Sequence, residues 1–365
     1  MSEVVIAGWS ALTSAGIGAG ALTEHLAGAG RHAADADTGV AVGQLYEEPL
    51  PSPTGHALAG FDVRAELGRK GTSAFDRATA LAVVCCQDAL RSAALDLDDG
   101  SRRRVGVALG TSLGSFKSTS DYSRETLVQE RPYLVNPVLF PNTVMNCAAG
   151  QVAIRFGLRG ANATIAGGTL AFLNAVRYAC NALDRGYADA MLAGAVEEFT
   201  PHRAWASHLT GSTAEVAAGE AAGVFVLARP TVDEDPGYQA RILSVSTGFG
   251  PGGAESAEQA LAGCVSRAVR QAGVDPADID TVLTGEAAEA QESEYGPVTR
   301  ALGHRPRRVL AKRLFGECDA ASGAVALAVY LAGQQAGLGD TPRPGLGLIT
   351  GRGPDGAVGA AVVRA

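Results

Sequence analysis

The chain of 365 residues contains 47% hydrophobic, 19% charged and only 5% aromatic residues, and its formal net charge is −8. This composition excludes an intrinsically disordered chain, and the acidic balance argues against a dedicated nucleic-acid-binding protein. The longest apolar stretches are broken by Gly, Asp or Arg well before the ~18 residues of a membrane span, so no transmembrane segment is predicted.

Short apolar runs alternate with helical periodicities along the first half. Helices are predicted at 76–94, from 151 to 157 and at 170–183, and strands at 4–7, 105–109, 190–193 and 224–228. Residues 29–60, rich in Gly, Pro, Ala and Asp, indicate a surface loop. The alternation of strands and helices predicts an α/β fold.

The second half repeats this order. Strands are predicted at 241–245, 281–283 and 346–350, and helices at 258–272 and 322–332. The segment AVRQAGVD at 268–275 resembles ALRSAALD at 89–96, and each leads into a buried strand. We therefore predict two copies of one unit, joined near 229–240, with domains at 1–230 and 235–365.

The first copy is longer than the second by about 28 residues, which lie between positions 111 and 150. This excursion is more aromatic than the rest of the chain, with Phe116, Tyr122, Tyr133 and Phe140. An aromatic insertion on one copy is a candidate binding or dimer surface. The alternative is a loop that only caps its own domain.

The cysteines and the N-terminus bear on chemistry and location. Six cysteines, at 85, 86, 147, 180, 264 and 318, lack the CxxC pairs of a zinc site, so we expect reduced thiols and neither metal nor cofactor. The first residues have no basic region followed by an apolar region, which argues against a signal peptide and favours a cytoplasmic protein.

Several segments resemble the β-ketoacyl synthases of the thiolase superfamily. They are VVIAG at 4–8, GVALGT at 106–111, AGQVAIRFGLRG at 149–160, DAMLAG at 189–194, GEAAG at 219–223, and Lys312 with Gly316. The resemblance implies a thiolase-like duplicated αβαβα five-layer fold, which agrees with the internal repeat.

Active members of this family condense acyl groups with a Cys nucleophile and two His, and this chain has lost all three. In the segment NATIAGGT at 162–169, Thr169 stands at the nucleophile position. Thr284 lies near the first His position, and Glu317 follows Gly316 at the second. None of the six His occupies a catalytic position, so the sequence offers no catalytic residue of the family type.

This pattern is similar to the chain length factor, the catalytically silent subunit of type II polyketide synthases. The resemblance implies a heterodimer with an active ketosynthase, and contact with an acyl carrier protein and the growing acyl chain. It implies neither a nucleic acid nor a membrane as a partner. Aromatic-polyketide members typically have Gln at the nucleophile position, so Thr169 points to a branch that makes reduced or polyene chains.

Two other functions remain open at this point. One is an active acyltransferase that uses Thr169 or Cys318, although no base stands beside Thr169 in the sequence. The acidic neighbours Glu317 and Asp319 would raise the pKa of the Cys318 thiol. The other is a free-standing acyl-binding protein, which an assembly measurement would distinguish.

The resemblance places the far end of the acyl chain against the excursion. A helix is predicted from about residue 117, and its spacing puts Ser118, Asp121, Tyr122 and Glu125 on one side. The candidate tunnel residues are Ser115, Phe116, Ser118, Thr119, Asp121 and Tyr122. The segment 161–169 resembles the edge strand through which thiolase-like subunits pair. A basic cluster at 300–308 is a candidate contact for the acidic carrier protein, with a solvated loop as the alternative.

Overall fold

The structure is a computed structural model that describes residues 3–29, 39–211, 216–230, 237–338 and 345–365. Thirteen strands lie in these ranges: β1 (Val4–Thr13), β2 (Gly16–Ile17), β3 (Val40–Ala41), β4 (Thr54–Gly55), β5 (Val105–Thr111), β6 (Asn162–Ala166), β7 (Ala190–Glu197), β8 (Ala221–Ala228), β9 (Ala240–Phe249), β10 (Ile279–Leu283), β11 (Arg307–Val309), β12 (Leu346–Arg352) and β13 (Ala357–Arg364).

Eleven α-helices lie in the same part of the chain. They are α1 (Gly18–Ala29), α2 (Val63–Leu67), α3 (Arg77–Ser92), α4 (Phe116–Val128), α5 (Cys147–Phe156), α6 (Ala171–Asp184), α7 (Pro201–Leu209), α8 (Ala254–Ala272), α9 (Tyr295–Leu302), α10 (Ala311–Phe315) and α11 (Ser322–Gln335). Within the described ranges, none of these helices has both the length and the apolar character that crossing a membrane requires.

The main sheet shows the duplication directly. Its strand order is β11-β10-β12-β13-β9-β1-β8-β7-β5-β6, with β2 paired to β1. The order β1-β8-β7-β5-β6 of the first half is therefore repeated as β9-β13-β12-β10-β11 in the second. The halves meet where β1 pairs antiparallel with β9, with Val4 opposite Ile242. The internal repeat is thus confirmed. The junction at 231–236 lies outside the described residues, so the predicted domain boundary stays a prediction.

The helices complete five layers. Helix α3 packs on β1 and β8 on one outer face, and α8 packs on β9 and β13 on the other. Helices α6 and α11 contact each other and lie between the two half-sheets. The largest core cluster fills this middle layer, where the rings of Phe172 and Phe225 lie 5.6 Å apart. The predicted αβαβα arrangement is confirmed.

Most predicted elements are present with shifted ends. The strand predicted at 4–7 continues to Thr13, and the helix predicted from 151 begins at Cys147. The residues 29–60 contain the two short strands β3 and β4 in their described part, whereas 30–38 lie outside the described residues. The prediction missed β13, α1, α7 and α9, and also the short elements β2, β3, β4, β11, α2 and α10.

Candidate functional site

The predicted nucleophile position lies where the middle layer meets the carboxyl end of β5. Thr169 is half-buried in a short 3-10 turn that leads into α6. Helix α6 approaches the sheet so closely at this point that a Cβ on Gly110 would lie 2.8 Å from the backbone of Ala171. Only a glycine fits here. The Thr169 hydroxyl has no hydrogen-bond partner in the described part of the chain. A threonine needs an adjacent base to act as a nucleophile, and this one has none there.

An arginine and a glutamate occupy the surroundings of the first His position. Thr284 is buried directly after β10, and its hydroxyl accepts a hydrogen bond from Arg308 Nε at 3.3 Å. The Arg308 guanidinium is paired with the Glu286 carboxylate, and both side chains are almost fully buried. The site therefore has a neutralised ion pair where the family resemblance places an imidazole.

Glu317, at the predicted second His position, forms an ion pair with Lys312. Its Oε2 lies 2.5 Å from Lys312 Nζ, and its Oε1 accepts hydrogen bonds from Asp319 N at 2.9 Å and Ser322 Oγ at 3.2 Å. Burial lowers the pKa of Lys312, but the Glu317 carboxylate opposes this effect and the net shift is upward. The position thus carries a carboxyl group paired with Lys312.

We expect Glu317→Ala to lower the free energy of unfolding by about 1–3 kcal/mol, because it leaves the Lys312 ammonium buried without a partner. Denaturant unfolding followed by circular dichroism measures the change. The double variant with Lys312→Met removes both charges and should recover part of the loss. Equal stability of the single variant and the wild type would contradict an ion pair at this site.

Cys318 does not offer a replacement nucleophile. It is 1% exposed, and its thiol donates to the Phe315 carbonyl at 3.3 Å. Burial raises the pKa of this thiol far above its ordinary value, and the carboxylates of Glu317 and Asp319 add to the effect despite Arg203. The thiol is therefore protonated at neutral pH, and a protonated thiol is a poor nucleophile.

Arg203 is a buried residue whose side chain bonds three separate segments, and the sequence analysis did not identify it. Its guanidinium donates to the carbonyls of Glu198 at 2.7 Å and Gly219 at 2.6 Å, and it reaches Asp319 Oδ2 at 2.6 Å. Asp319 has a φ of +41°, a conformation that non-glycine residues adopt rarely. This network ties the end of β7 to the segment that carries Glu317. The pair of acidic residues at the end of a buried strand, Glu197 and Glu198, was the one available sequence signal.

The excursion contains the predicted helix, which is α4. Its N-cap is Ser115, whose side chain accepts a hydrogen bond from Ser118 N at 3.2 Å. The four residues expected on one side of the helix meet different neighbours. The Asp121 carboxylate lies 2.7 Å from Lys117 Nζ and 3.6 Å from Nε2 of His202 in α7. The helix is thus present with the predicted spacing, and the residues on this side contact more than one neighbouring element.

The other residues at α4 that were predicted to share this side or to line the tunnel also contact several different neighbours. The Tyr122 ring lies 5.9 Å from the Phe140 ring, and the Thr119 hydroxyl donates to the Ser115 carbonyl at 3.0 Å. Glu125 accepts a hydrogen bond from Asn136 N at 2.6 Å. Ser115 and Ser118 are buried toward the core, whereas Phe116 packs its ring against His202 at 6.5 Å.

Two spaces adjoin the start of α4. A small cavity beneath it, lined by Gly114, Ser115, Met145 and Thr164 among others, holds about one water molecule. A shallow apolar groove lies beside it, between Phe116, Trp205 and Leu209. Neither of these two spaces is an enclosed cavity large enough for an acyl chain.

The excursion exposes apolar side chains, which we call the excursion surface. Leu127 is 84% exposed and Tyr133 69%. The other members are Leu113, Val128, Leu134, Val138, Phe140, Val144 and Met145. Nearby, β6 is the last strand of the sheet, and its outer edge pairs with no other described strand. Exposed apolar surface beside an open strand edge is typical of an interface.

The basic cluster at 300–308 is largely neutralised. Arg300 lies 3.2 Å from Glu258, Arg305 lies 2.7 Å from Glu292, and Arg308 is paired with Glu286. These internal partners favour the alternative of a solvated, ion-paired surface over a contact for an acidic carrier protein.

The matched family agrees with this architecture. Residues 1–215 match the model of the beta-ketoacyl synthase N-terminal domain, so the chain belongs to the β-ketoacyl synthase family. Its full length is similar to a solved structure named the ishigamide ketosynthase/chain length factor. The identity is 31%, the match covers 100% of this chain and 99% of that chain, and the TM-score is 0.83.

More distant relatives support the fold and the family. A solved beta-ketoacyl synthase from Burkholderia phymatum STM815 has 19% identity and a TM-score of 0.81, over 100% of this chain and 99% of that chain, which shows the fold alone. The 3-oxoacyl-[acyl-carrier-protein] synthase 2 of Staphylococcus aureus (strain N315) is 29% identical over 161 residues, 44% of this chain and 39% of that protein. The chain thus spans about two fifths of the length of the curated relatives it matches.

Proposed function

We propose that this chain is a catalytically silent chain length factor, which pairs with an active ketosynthase in a type II polyketide synthase. The observation that carries the proposal is Glu317, which stands at the second His position in an ion pair with Lys312. A carboxylate there would repel the enolate that active members stabilise with imidazoles. The similarity to a structure whose name includes a chain length factor supports the same reading.

The proposed role is steric rather than chemical. The partner ketosynthase supplies the Cys and His residues and condenses malonyl units delivered by an acyl carrier protein. This chain contributes side chains around α4, and these limit how far the acyl product extends. Thr169 in place of the usual Gln supports a synthase of the reducing or polyene type.

Assembly is the first requirement of this function. We expect a heterodimer whose interface buries more than about 2,000 Å², formed by the excursion surface and the edge of β6. Phe140→Asp should weaken the complex strongly, because it places a charge within an apolar contact. Co-purification with the ketosynthase and light scattering measure the effect.

A matched control comes from the same half of the chain. Tyr187 is 65% exposed against 56% for Phe140, but it lies before β7, at the amino ends of the parallel strands. Tyr187→Asp should leave the complex intact. A stable monodisperse monomer of the wild-type chain in the presence of the ketosynthase would contradict the proposal.

Labelling of the purified complex tests catalytic silence. After incubation with acyl and malonyl carrier proteins, we expect the covalent acyl adduct on the partner ketosynthase and none on this chain. Peptide mass spectrometry locates the adduct. An adduct on Thr169 or Cys318 would instead establish an active acyltransferase, and a homodimer that binds acyl chains alone would establish a free-standing binding protein.

A further inference from the structure

Two consecutive glutamates at the end of β7 hold the connection between β5 and α4. The Glu197 carboxylate accepts a hydrogen bond from Ser112 N, at the start of this connection. Glu198 lies at its other end, beneath the first turn of α4. Both glutamates are 1% exposed. Side chains from β7 therefore fix the path by which the chain enters α4.

Glu198 makes its contacts at the N-terminus of the helix itself. Each of its carboxylate oxygens lies 3.3 Å from Ser115 Oγ, and its Oε1 accepts a hydrogen bond from Lys117 N at 3.3 Å. Ser115 Oγ in turn lies 2.9 Å from Ser118 Oγ. The first turn of α4 is thus tied to the core through one carboxyl group.

The same residue is linked to the degenerate catalytic position. The Glu198 carbonyl accepts a hydrogen bond from Arg203, which also pairs with Asp319 at 2.6 Å. Asp319 stands two residues after Glu317 and donates its backbone N–H to it at 2.9 Å. The start of α4 is therefore connected through buried polar contacts to the segment at the second His position.

We propose that Glu198 is a positioning residue that sets the placement of α4, and through it the length of the acyl chain. The proposal rests on the proposed function, in which α4 meets the end of the growing chain. Glu198 is buried beneath α4, so its effect acts through Ser115, Ser118 and the helix axis.

The charge on Glu198 bears on this role. Burial, with a contribution from the nearby Asp76 carboxyl, raises the pKa of Glu198 to about 7. The ionised form, which prevails above that pH, is the better acceptor for Lys117 N and is favoured by the helix dipole. Among the described residues, six charged or titratable groups surround Glu198. They are Tyr46 between β3 and β4, Asp76 and Arg77 at the start of α3, Glu197 in β7, Arg203 in α7 and Lys117 in α4.

Hydrogen exchange of the complex with the ketosynthase tests the positioning itself. We expect Glu198→Ala to increase exchange of the amides of residues 117–120, and Glu198→Gln to retain most of the protection because its amide oxygen still accepts. As the pH is raised from 6 to 8, these amides should become better protected in the wild type than in Glu198→Gln, because only the wild type gains a charge at this position. Equal exchange in all three proteins at both pH values would overturn the proposal.

Product analysis of the same complexes tests the consequence for chain length. We expect Glu198→Ala to change the ratio of full-length to shorter products by roughly two- to thirtyfold, with Glu198→Gln close to the wild type. Ser118→Phe, measured in parallel, reports on the tunnel role of α4. A changed ratio for Ser118→Phe with no change for Glu198→Ala overturns the positioning role alone, whereas no change in either variant overturns both proposals.

Discussion

Thr169→Cys should leave the isolated chain unable to condense malonyl units. The substitution places a thiol at the start of α6, where the helix dipole favours a thiolate, so the introduced side chain can become acylated. Decarboxylation of malonyl-carrier protein would still lack the two donors that stabilise the enolate in active members. Loss of one such donor typically costs about 10²–10³ in rate, so loss of both places turnover below detection.

The neighbours of Thr169 strengthen this expectation. Glu317 contributes a carboxylate at the second His position, and Lys312 is engaged in an ion pair with it. Near the first position, Arg308 is paired with Glu286. Both cations are therefore neutralised before any enolate could form.

The measurement is release of labelled carbon dioxide and of condensed product from malonyl-carrier protein. The partner ketosynthase under identical conditions is the positive control, and its Cys→Ala variant is the negative one. Condensation by the Thr169→Cys chain at a rate near that of the ketosynthase would disprove the loss of the enolate-stabilising donors.

The sequence predicted the architecture well because burial is a local signal. Buried strands such as β5, β7 and β8 are runs of apolar residues. The duplication was visible in the two similar helix ends at 89–96 and 268–275.

The polar network was beyond sequence reasoning for a physical reason. Arg203 and Asp319 meet only because the two halves of the chain share one sheet, and no local pattern encodes that contact. The surroundings of α4 were missed in the same way. Helical spacing places Ser118 and Tyr122 on one side of α4, but it does not show that Ser118 is buried while the Tyr122 ring contacts Phe140.

Ser118→Phe should shorten the product of the heterodimer without abolishing the first condensation. Ser118 is 8% exposed, and its hydroxyl lies 2.9 Å from Ser115 Oγ on the core side of α4. A phenyl group does not fit this space without displacing the helix or filling adjoining volume, at a cost of roughly 1–3 kcal/mol. Either response reduces the room at the closed end, so longer intermediates are disfavoured while short ones still fit.

Ser123 provides the matched control, because it is a serine of the same helix on the exposed side. Ser123→Phe adds the same ring to α4 and should leave the length distribution unchanged. Mass spectrometry of the carrier-bound products compares the variants, with Thr119 and Tyr122 replaced by bulkier or smaller side chains as further probes. If Ser118→Phe lowers only stability and yield while the distribution stays that of the wild type, then α4 packs within its own half and chain length is set elsewhere.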